Sequence, residues 1–189
     1  MFEQSTFSIS GFCCIYSLTR ELKGGILMYF EDVKEGYEIK TDLQIITFDM
    51  IERFADLTGD HNPLHLDEDA SREGPFGEIV SHGRLTGDVA IGALPYSFLE
   101  GLMLIEDKTS YLKPVRAGEH IYCILKVLLK YDKAHWGFGY FNCKMEIFNQ
   151  DGETVAVMDI KMRADKSSSA KQQKTSRAIA RDVFLSHAS

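Results

Sequence analysis

A short run of turn-forming residues, Gly59 to His65, constrains this sequence more than any other segment. Gly59 and the pair Asn62-Pro63 interrupt the amphipathic pattern before them, so the preceding helix must end there. Asp60 and His65 are then expected on a shaped loop. A carboxylate and an imidazole that reach one water molecule can add or remove water by general acid–base catalysis. The residues alone leave a second interpretation open, in which Asp60 only stabilises a turn and His65 is simply buried.

The composition is that of a globular chain with one domain. Of the 189 residues, 44% are hydrophobic and 26% charged, which is enough for a substantial core. The net charge of −7 argues against nucleic-acid binding and against an anionic membrane surface as partners. We expect reduced thiols in a cytoplasmic protein and no zinc site, because the cysteines lack metal-ligand spacing; they are Cys13, Cys14, Cys123 and Cys143.

The two ends of the chain differ from its middle. Residues 1–27 are rich in apolar residues but lack a basic start and a signal-peptide cleavage site. Lys23-Gly24-Gly25 is what an in-frame ribosome-binding site would encode, so the hypothesis is that the natural start is Met28 and that this extension is not native. Residues 165–189 are polar and are expected to be a disordered tail. The folded domain is therefore predicted to span residues 28–164.

The order of elements in the middle predicts an α+β fold. One strand is expected over residues 37–45, followed by a helix between Thr47 and Gly59 and a short helix over 68–73. A longer helix, rich in small residues, runs from Gly83 to about Phe98. Four strands are then predicted at Met103–Leu112, His120–Tyr131, His135–Asn149 and Thr154–Met162. Such an order favours an antiparallel sheet wrapped around one helix.

Two segments together resemble a known family. The run from Phe54 to Asp67 closely resembles the hydratase motif of the MaoC-like family, which includes the (R)-specific enoyl-CoA hydratases. Gly74–Gly77 and Ile79–Gly83 resemble its second signature, an apolar step into His-Gly at the start of a long helix. Weaker similarity extends from about Tyr29 to Met162. The resemblance implies a hot-dog fold, a five-stranded antiparallel sheet around a long central helix, in a homodimer or higher homo-oligomer.

The resemblance also implies a reaction that needs no cofactor and no metal. The enzyme would interconvert trans-2-enoyl-CoA and (R)-3-hydroxyacyl-CoA thioesters. Asp60 would act as the base, His65 would hold the same water and relay its proton, and the backbone N–H of Gly83 would stabilise charge on the thioester oxygen. Three alternatives stay open: an acyl-carrier-protein-linked dehydratase, a hot-dog thioesterase and a noncatalytic acyl-thioester-binding subunit.

Four further residues are candidates for substrate binding, each with a structural alternative. Asn62 could contact substrate or only stabilise its turn through side-chain hydrogen bonds. His82 could contact substrate or be a buried structural histidine. Lys113 and Arg116 could bind the phosphates of CoA, or they could belong to a solvated basic turn.

Arg84 and Asp88 depart from the family pattern, which commonly has an apolar residue and a serine at these positions. Their i, i+4 spacing on the helix predicts an ion pair. We include both among the substrate-binding candidates because such a pair would narrow or polarise the acyl pocket. Short or polar acyl chains would then be favoured.

Overall fold

The computed structural model describes residues 28–95, 99, 101–133 and 135–168. Over these residues the chain forms one antiparallel sheet and four α-helices. The predictions made for residues 1–27, and those for 169–189 of the expected tail, lie outside the described residues. Among the described helices, none is long and apolar enough to cross a membrane.

The helices and strands follow the predicted α+β order. The helices are α1 (Phe48–Thr58), α2 (Pro63–Leu66), α3 (Glu68–Glu73) and α4 (Gly83–Gly92), and a 3-10 turn spans Phe30–Asp32. The strands are β1 (Glu38–Lys40), β2 (Gln44–Ile45), β3 (Met103–Tyr111), β4 (His120–Asp132), β5 (Phe138–Asn149) and β6 (Thr154–Asp165). The sheet order is β1-β4-β5-β6-β3, every neighbouring pair is antiparallel, and β2 also pairs with β4.

The sheet has six strands rather than the five expected, because the first predicted strand is divided at Thr41. The Thr41 N–H donates to the Cys123 carbonyl at 3.0 Å. The Cys123 N–H, however, donates to the Thr41 side-chain oxygen at 2.9 Å. A side chain thus replaces a backbone carbonyl in the ladder, and the chain leaves the sheet until β2 rejoins β4.

The central helix α4 packs on the sheet and is shorter than expected. Leu85, Thr86 and Ala90 are among its buried residues, and the Cys123 thiol of β4 donates to the Ala90 carbonyl. The helix ends at Gly92 instead of continuing to about Phe98. Pro95 follows closely, and it has no backbone N–H with which to continue a helical ladder.

Local capping signals set the ends of the helices before the site. The Thr47 hydroxyl oxygen accepts the Met50 N–H at 3.2 Å and begins α1. Gly59 ends that helix with φ of 77°, a left-handed conformation that favours glycine. Asp67 caps α3 by accepting two backbone N–H groups, and Gly74 follows the last helical residue. These predicted boundaries are confirmed, and they place Asp60 directly after a reversal of the chain.

The apolar core lies between the sheet and the helices. In β5, alternate residues from Gly139 to Asn149 are buried, as expected for a strand with one face on the core. The largest fully buried side chains come from the 3-10 turn, α1, the sheet and the chain before α1; they include Phe30, Phe141, Ile46, Ile51, Ile121, Met145, Ile147 and Met158.

Gly139 generates a stability prediction, because the ring of Phe30 occupies the space a Cβ would need there. We expect Gly139→Ala to reduce the free energy of unfolding by about 1–3 kcal/mol through overpacking. Gly92 is a matched control, since a Cβ at this helical position meets no atom within 4 Å, and Gly92→Ala should raise stability by up to about 1 kcal/mol. Urea unfolding monitored by circular dichroism measures both. Equal midpoints for the two variants would contradict the packing argument.

Candidate active site

The loop after α1 presents the Asp60 carboxylate to solvent. The Asp60 N–H donates to the Thr58 hydroxyl oxygen at 3.3 Å. One carboxylate oxygen, Oδ1, accepts the Asn62 N–H at 3.4 Å. The side chain is 56% exposed. The loop therefore fixes the backbone of Asp60, and the Asp60 carboxylate remains accessible to a water molecule or a ligand.

His65 lies in the one-turn helix α2 rather than on an irregular loop. Asn62 accepts the Leu64 N–H at 3.1 Å through its side-chain oxygen, and Pro63 occupies the first helical position; both are favourable there. The buried Ser71 hydroxyl donates to the Leu64 carbonyl at 3.0 Å and holds this turn in place. Asn62 thus has the structural role that the sequence left open, and the supporting role of Ser71 was not predicted.

The proton on the His65 ring is placed by a backbone carbonyl. The distance from His65 Nδ1 to the Val80 oxygen is 2.7 Å. Because a carbonyl oxygen only accepts, Nδ1 carries the proton in the neutral ring, and Nε2 keeps its lone pair. His65 is therefore equipped to accept a proton or a hydrogen bond at Nε2.

His82 comes directly before α4 and is 2% exposed. Its Nε2 donates to the Asp60 carbonyl at 2.9 Å. Its ring lies 3.8 Å from the His65 ring, centroid to centroid, and 5.1 Å from the ring of Phe54. Three of the predicted site residues, from two separate segments, are thereby brought together.

The spacing of these groups suits a single bound water. One nitrogen or oxygen from each of Asp60, His65 and His82 lies within 4.8 Å of the others. A water that makes two hydrogen bonds of about 2.8 Å spans such a gap. Metal ligation would need an unprotonated imidazole nitrogen, and His82 Nε2, the nitrogen that lies 3.9 Å from the Asp60 carboxylate, already donates its proton to the Asp60 carbonyl. The hydrogen bonds thus fit proton transfer better than metal binding.

Gly83 begins α4, where the first backbone N–H groups have no partner within the helix and carry partial positive charge. A Cβ at this position would lie 3.1 Å from the Tyr111 ring. Glycine therefore lets Tyr111, at the end of β3, lie against the first turn. The sequence did not single out Tyr111, because this contact joins residues far apart in the chain.

Arg84 links the first turn of α4 to β3. The predicted pair with Asp88 forms, with 3.3 Å between Nη2 and Oδ1. A shorter hydrogen bond of 2.7 Å joins Arg84 Nη1 to Asp107 in β3. This bond is the main cause that lowers the pKa of Asp107 and raises the pKa of Arg84. Asp107 is a partner that helical spacing could not predict.

Lys113 and Arg116 are paired with carboxylates. Lys113 Nζ lies 2.7 Å from a Glu153 oxygen. Arg116 contacts Glu78 and lies 3.7 Å from a Glu119 oxygen. An isolated β-bridge joins Arg116 to Val80. The backbone of Arg116 therefore lies beside Val80, whose carbonyl orients His65. Both basic residues are therefore ion-paired on the surface, and a phosphate would have to replace these carboxylates.

The antiparallel sheet packed on the central helix α4 is a hot-dog fold. The sequence model of the MaoC like domain matches residues 31–135, more than half of the chain. The chain therefore belongs to the MaoC-like family, as the motif predicted.

Two relatives of the chain are named as hydro-lyases. The 3-hydroxybutyryl-CoA dehydratase of Methylorubrum extorquens is 32% identical over 94 residues, which cover 49% of this chain and 59% of the relative. The (R)-specific enoyl-CoA hydratase of Rhodospirillum rubrum is 32% identical over 97 residues, which cover 51% and 67%. The chain thus spans less than two thirds of the first relative's length.

A solved structure supports the fold independently. The MaoC-like dehydratase from Rhodospirillum rubrum superposes with a TM-score of 0.66 at 24% identity, covering 74% of this chain and 97% of the other. The expected hot-dog fold is confirmed, with the added strand described above.

The Arg84–Asp107 bond predicts a pH-dependent loss of stability. The pKa of Asp107 lies below its ordinary value of 3.8, so the ionised carboxylate stabilises the folded state at pH values above 3.8. This contribution disappears as the pH falls through the pKa of Asp107 in the folded state. Arg84→Met should therefore lower the Tm at pH 7, and the difference from wild type should narrow in acid. Thermal unfolding at pH 7, 5 and 3 tests this.

Arg53→Met is the control for that experiment, since Arg53 pairs with Asp49 on the exposed surface of α1. Exposed ion pairs of this kind contribute about 0–1 kcal/mol to the free energy of unfolding, so the Tm of Arg53→Met should change little. A constant difference between Arg84→Met and wild type at all three pH values would contradict the assignment.

Proposed function

We propose that this protein is an (R)-specific hydratase that interconverts trans-2-enoyl-CoA and (R)-3-hydroxyacyl-CoA. The proposal depends on one observation: an oxygen of the exposed Asp60 carboxylate and a ring nitrogen of His65 lie within 4.8 Å of each other. Nε2 of that imidazole bears no proton in the neutral ring, because Nδ1 donates to Val80. The names of the two relatives are consistent with this reaction class.

The proposed hydration divides the work between three groups. Asp60 removes a proton from the water that His65 holds, and the water oxygen forms a bond to Cβ of the enoyl group. The electron pair of the double bond moves to the thioester oxygen, where the backbone N–H of Gly83 stabilises the charge. Loss of one such donor typically raises the activation free energy by about 2.7–4 kcal/mol. A proton returned to Cα completes the (R)-3-hydroxyacyl thioester.

Polar residues at the start of α4 support short acyl chains as substrates. Arg84, Asp88 and Asp107 form a connected charged group beside the first turn, where Gly83 would bind the thioester oxygen. Burying a long alkyl chain against such charges would remove them from water at a cost in free energy. Crotonyl-CoA, whose acyl chain is short, is accordingly the substrate of choice for a first assay.

Asp60→Asn tests the central assignment, because the amide keeps the size of the side chain but cannot accept the water proton. Hydration of crotonyl-CoA, followed by loss of enoyl absorbance, should fall at least about 10²-fold. His65→Gln should reduce the rate to a similar extent. Asp56→Asn is the matched control: Asp56 is an exposed carboxylate on α1, and its replacement should leave the rate unchanged. Wild-type turnover in Asp60→Asn, with an unchanged circular dichroism spectrum, would refute the proposal.

We also propose that the protein forms at least a homodimer. The strand β3 is an edge of the sheet, and an open edge with exposed apolar side chains favours pairing with another chain. Exposed apolar residues on and just after this strand are Met103, Leu104, Ile105, Tyr111 and Leu112.

Light scattering at micromolar concentration should therefore report a dimer or a larger assembly. Ile105→Lys places a charge on the edge and should shift the protein towards monomer. Leu57→Lys is the control, because Leu57 is 83% exposed on α1, away from that strand. A stable wild-type monomer would overturn the proposed assembly.

A further inference from the structure

We propose that His82 is a positioning residue, which holds both Asp60 and His65 beside the first turn of α4 without touching substrate. The inference rests on the proposed function, because it assigns His82 a role in the same hydration. A side chain that is 2% exposed and covered by neighbouring rings has little surface to offer a substrate. Its contacts instead reach the two groups proposed to hold the water.

The first contact fixes the main chain of Asp60. His82 Nε2 donates to the Asp60 carbonyl at 2.9 Å. The bonds that Asp60 makes to Thr58 and Asn62 are local, and both are 3.3 Å or longer. The His82 bond is shorter and comes from 22 residues away, so it ties the loop to the start of α4. It thereby sets where the Asp60 carboxylate lies relative to the Gly83 N–H.

The second contact fixes the plane of the His65 ring. The two imidazole rings are 3.8 Å apart and inclined by 31°. The bond from His65 Nδ1 to Val80 holds one edge of the ring, whose orientation otherwise changes by rotation about the Cβ–Cγ bond. A flat neighbour at van der Waals distance restricts this rotation. His82 therefore helps to direct the Nε2 lone pair of His65.

The protonation of the His82 ring follows from its surroundings. The carbonyl of Asp60 can only accept, so Nε2 carries a proton. Nδ1 is buried and has no hydrogen-bond partner among the described residues. A proton on Nδ1 would create an unpaired, buried N–H, which is costly. The groups that face the ring are the Asp60 carboxylate, 3.9 Å from Nε2, and His65. Of the two neutral tautomers, the one with its proton on Nε2 is the form that these contacts support.

Two substitutions separate the two contacts. His82→Phe keeps a flat ring against His65 but removes the donor to Asp60. His82→Gln keeps an N–H donor but removes the ring. Because misplacement of catalytic groups by about 1 Å can reduce rates about 10²-fold, we expect kcat for crotonyl-CoA to fall about 10- to 100-fold in each variant. KM should stay within about threefold, since no substrate contact is lost.

Thr41→Val is the matched structural control. It also removes a buried side-chain bond to the backbone, the one from Cys123 N–H to Thr41, but at the break between β1 and β2. It should lower the Tm while leaving kcat unchanged. A kcat near wild type in both folded His82 variants would overturn the proposal. So would a rise in KM of tenfold or more with kcat preserved, because that pattern indicates a lost substrate contact.

Nitrogen NMR of the imidazole side chains in the wild-type protein supplies a test that does not depend on turnover or on folding of the variants. His82 should show a protonated Nε2 and an unprotonated Nδ1, and His65 the opposite tautomer. An unprotonated Nε2 on His82 would overturn the proposal even if the protein hydrates crotonyl-CoA. Absence of hydration with these tautomers present would instead refute the proposed function and leave the positioning geometry intact.

Discussion

Two segments of the chain hold each other in place through reciprocal hydrogen bonds, and the candidate site depends on them. His65, in the first segment, donates to the Val80 carbonyl of the second. His82, in the second, donates to the Asp60 carbonyl of the first. A backbone bond of 3.4 Å from Val80 N–H to the Leu64 carbonyl lies between them. Each imidazole thus satisfies a carbonyl of the opposite segment, and removing either ring would leave a backbone acceptor without its partner.

The second segment is in turn anchored to the sheet side of the molecule. Ser81 N–H donates to the Val115 carbonyl at 2.7 Å, and Val80 forms a β-bridge with Arg116. Local helix caps therefore support the first segment of the site, and hydrogen bonds to extended backbone support the second. Side chains supported in this way are held in one geometry.

The parts of the structure that could be predicted from the sequence are those set by neighbours in the chain. Thr47 and Asp67 accept the N–H groups of the turns that follow them, and Gly59 supplies a left-handed conformation, so the helix ends were readable from residue type. The Arg84–Asp88 pair was predictable for the same reason, since the helix itself brings positions i and i+4 together.

The features that could not be predicted depend on residues far apart in the sequence. Asp107 takes the shorter hydrogen bond of Arg84 across 23 positions, and Tyr111 covers Gly83 from the end of β3. The division of the first strand has the same origin, because the Thr41 hydroxyl replaces a carbonyl only when β4 lies beside it. The bond from His82 to Asp60 likewise exists only once the loop after α1 lies beside the start of α4.

The two ends of the proposed substrate would meet different kinds of surface. The acyl end would face groups held by buried or backbone hydrogen bonds, which resist rearrangement. The nucleotide end would meet Lys113 and Arg116, whose carboxylate partners lie on the surface. Exposed pairs contribute only about 0–1 kcal/mol, and a phosphate is a stronger acceptor for such cations. Replacing a surface carboxylate by phosphate should therefore cost little free energy. Selectivity for the acyl group would then come from the two rigid segments, and CoA binding would come from ion pairs that can exchange partners.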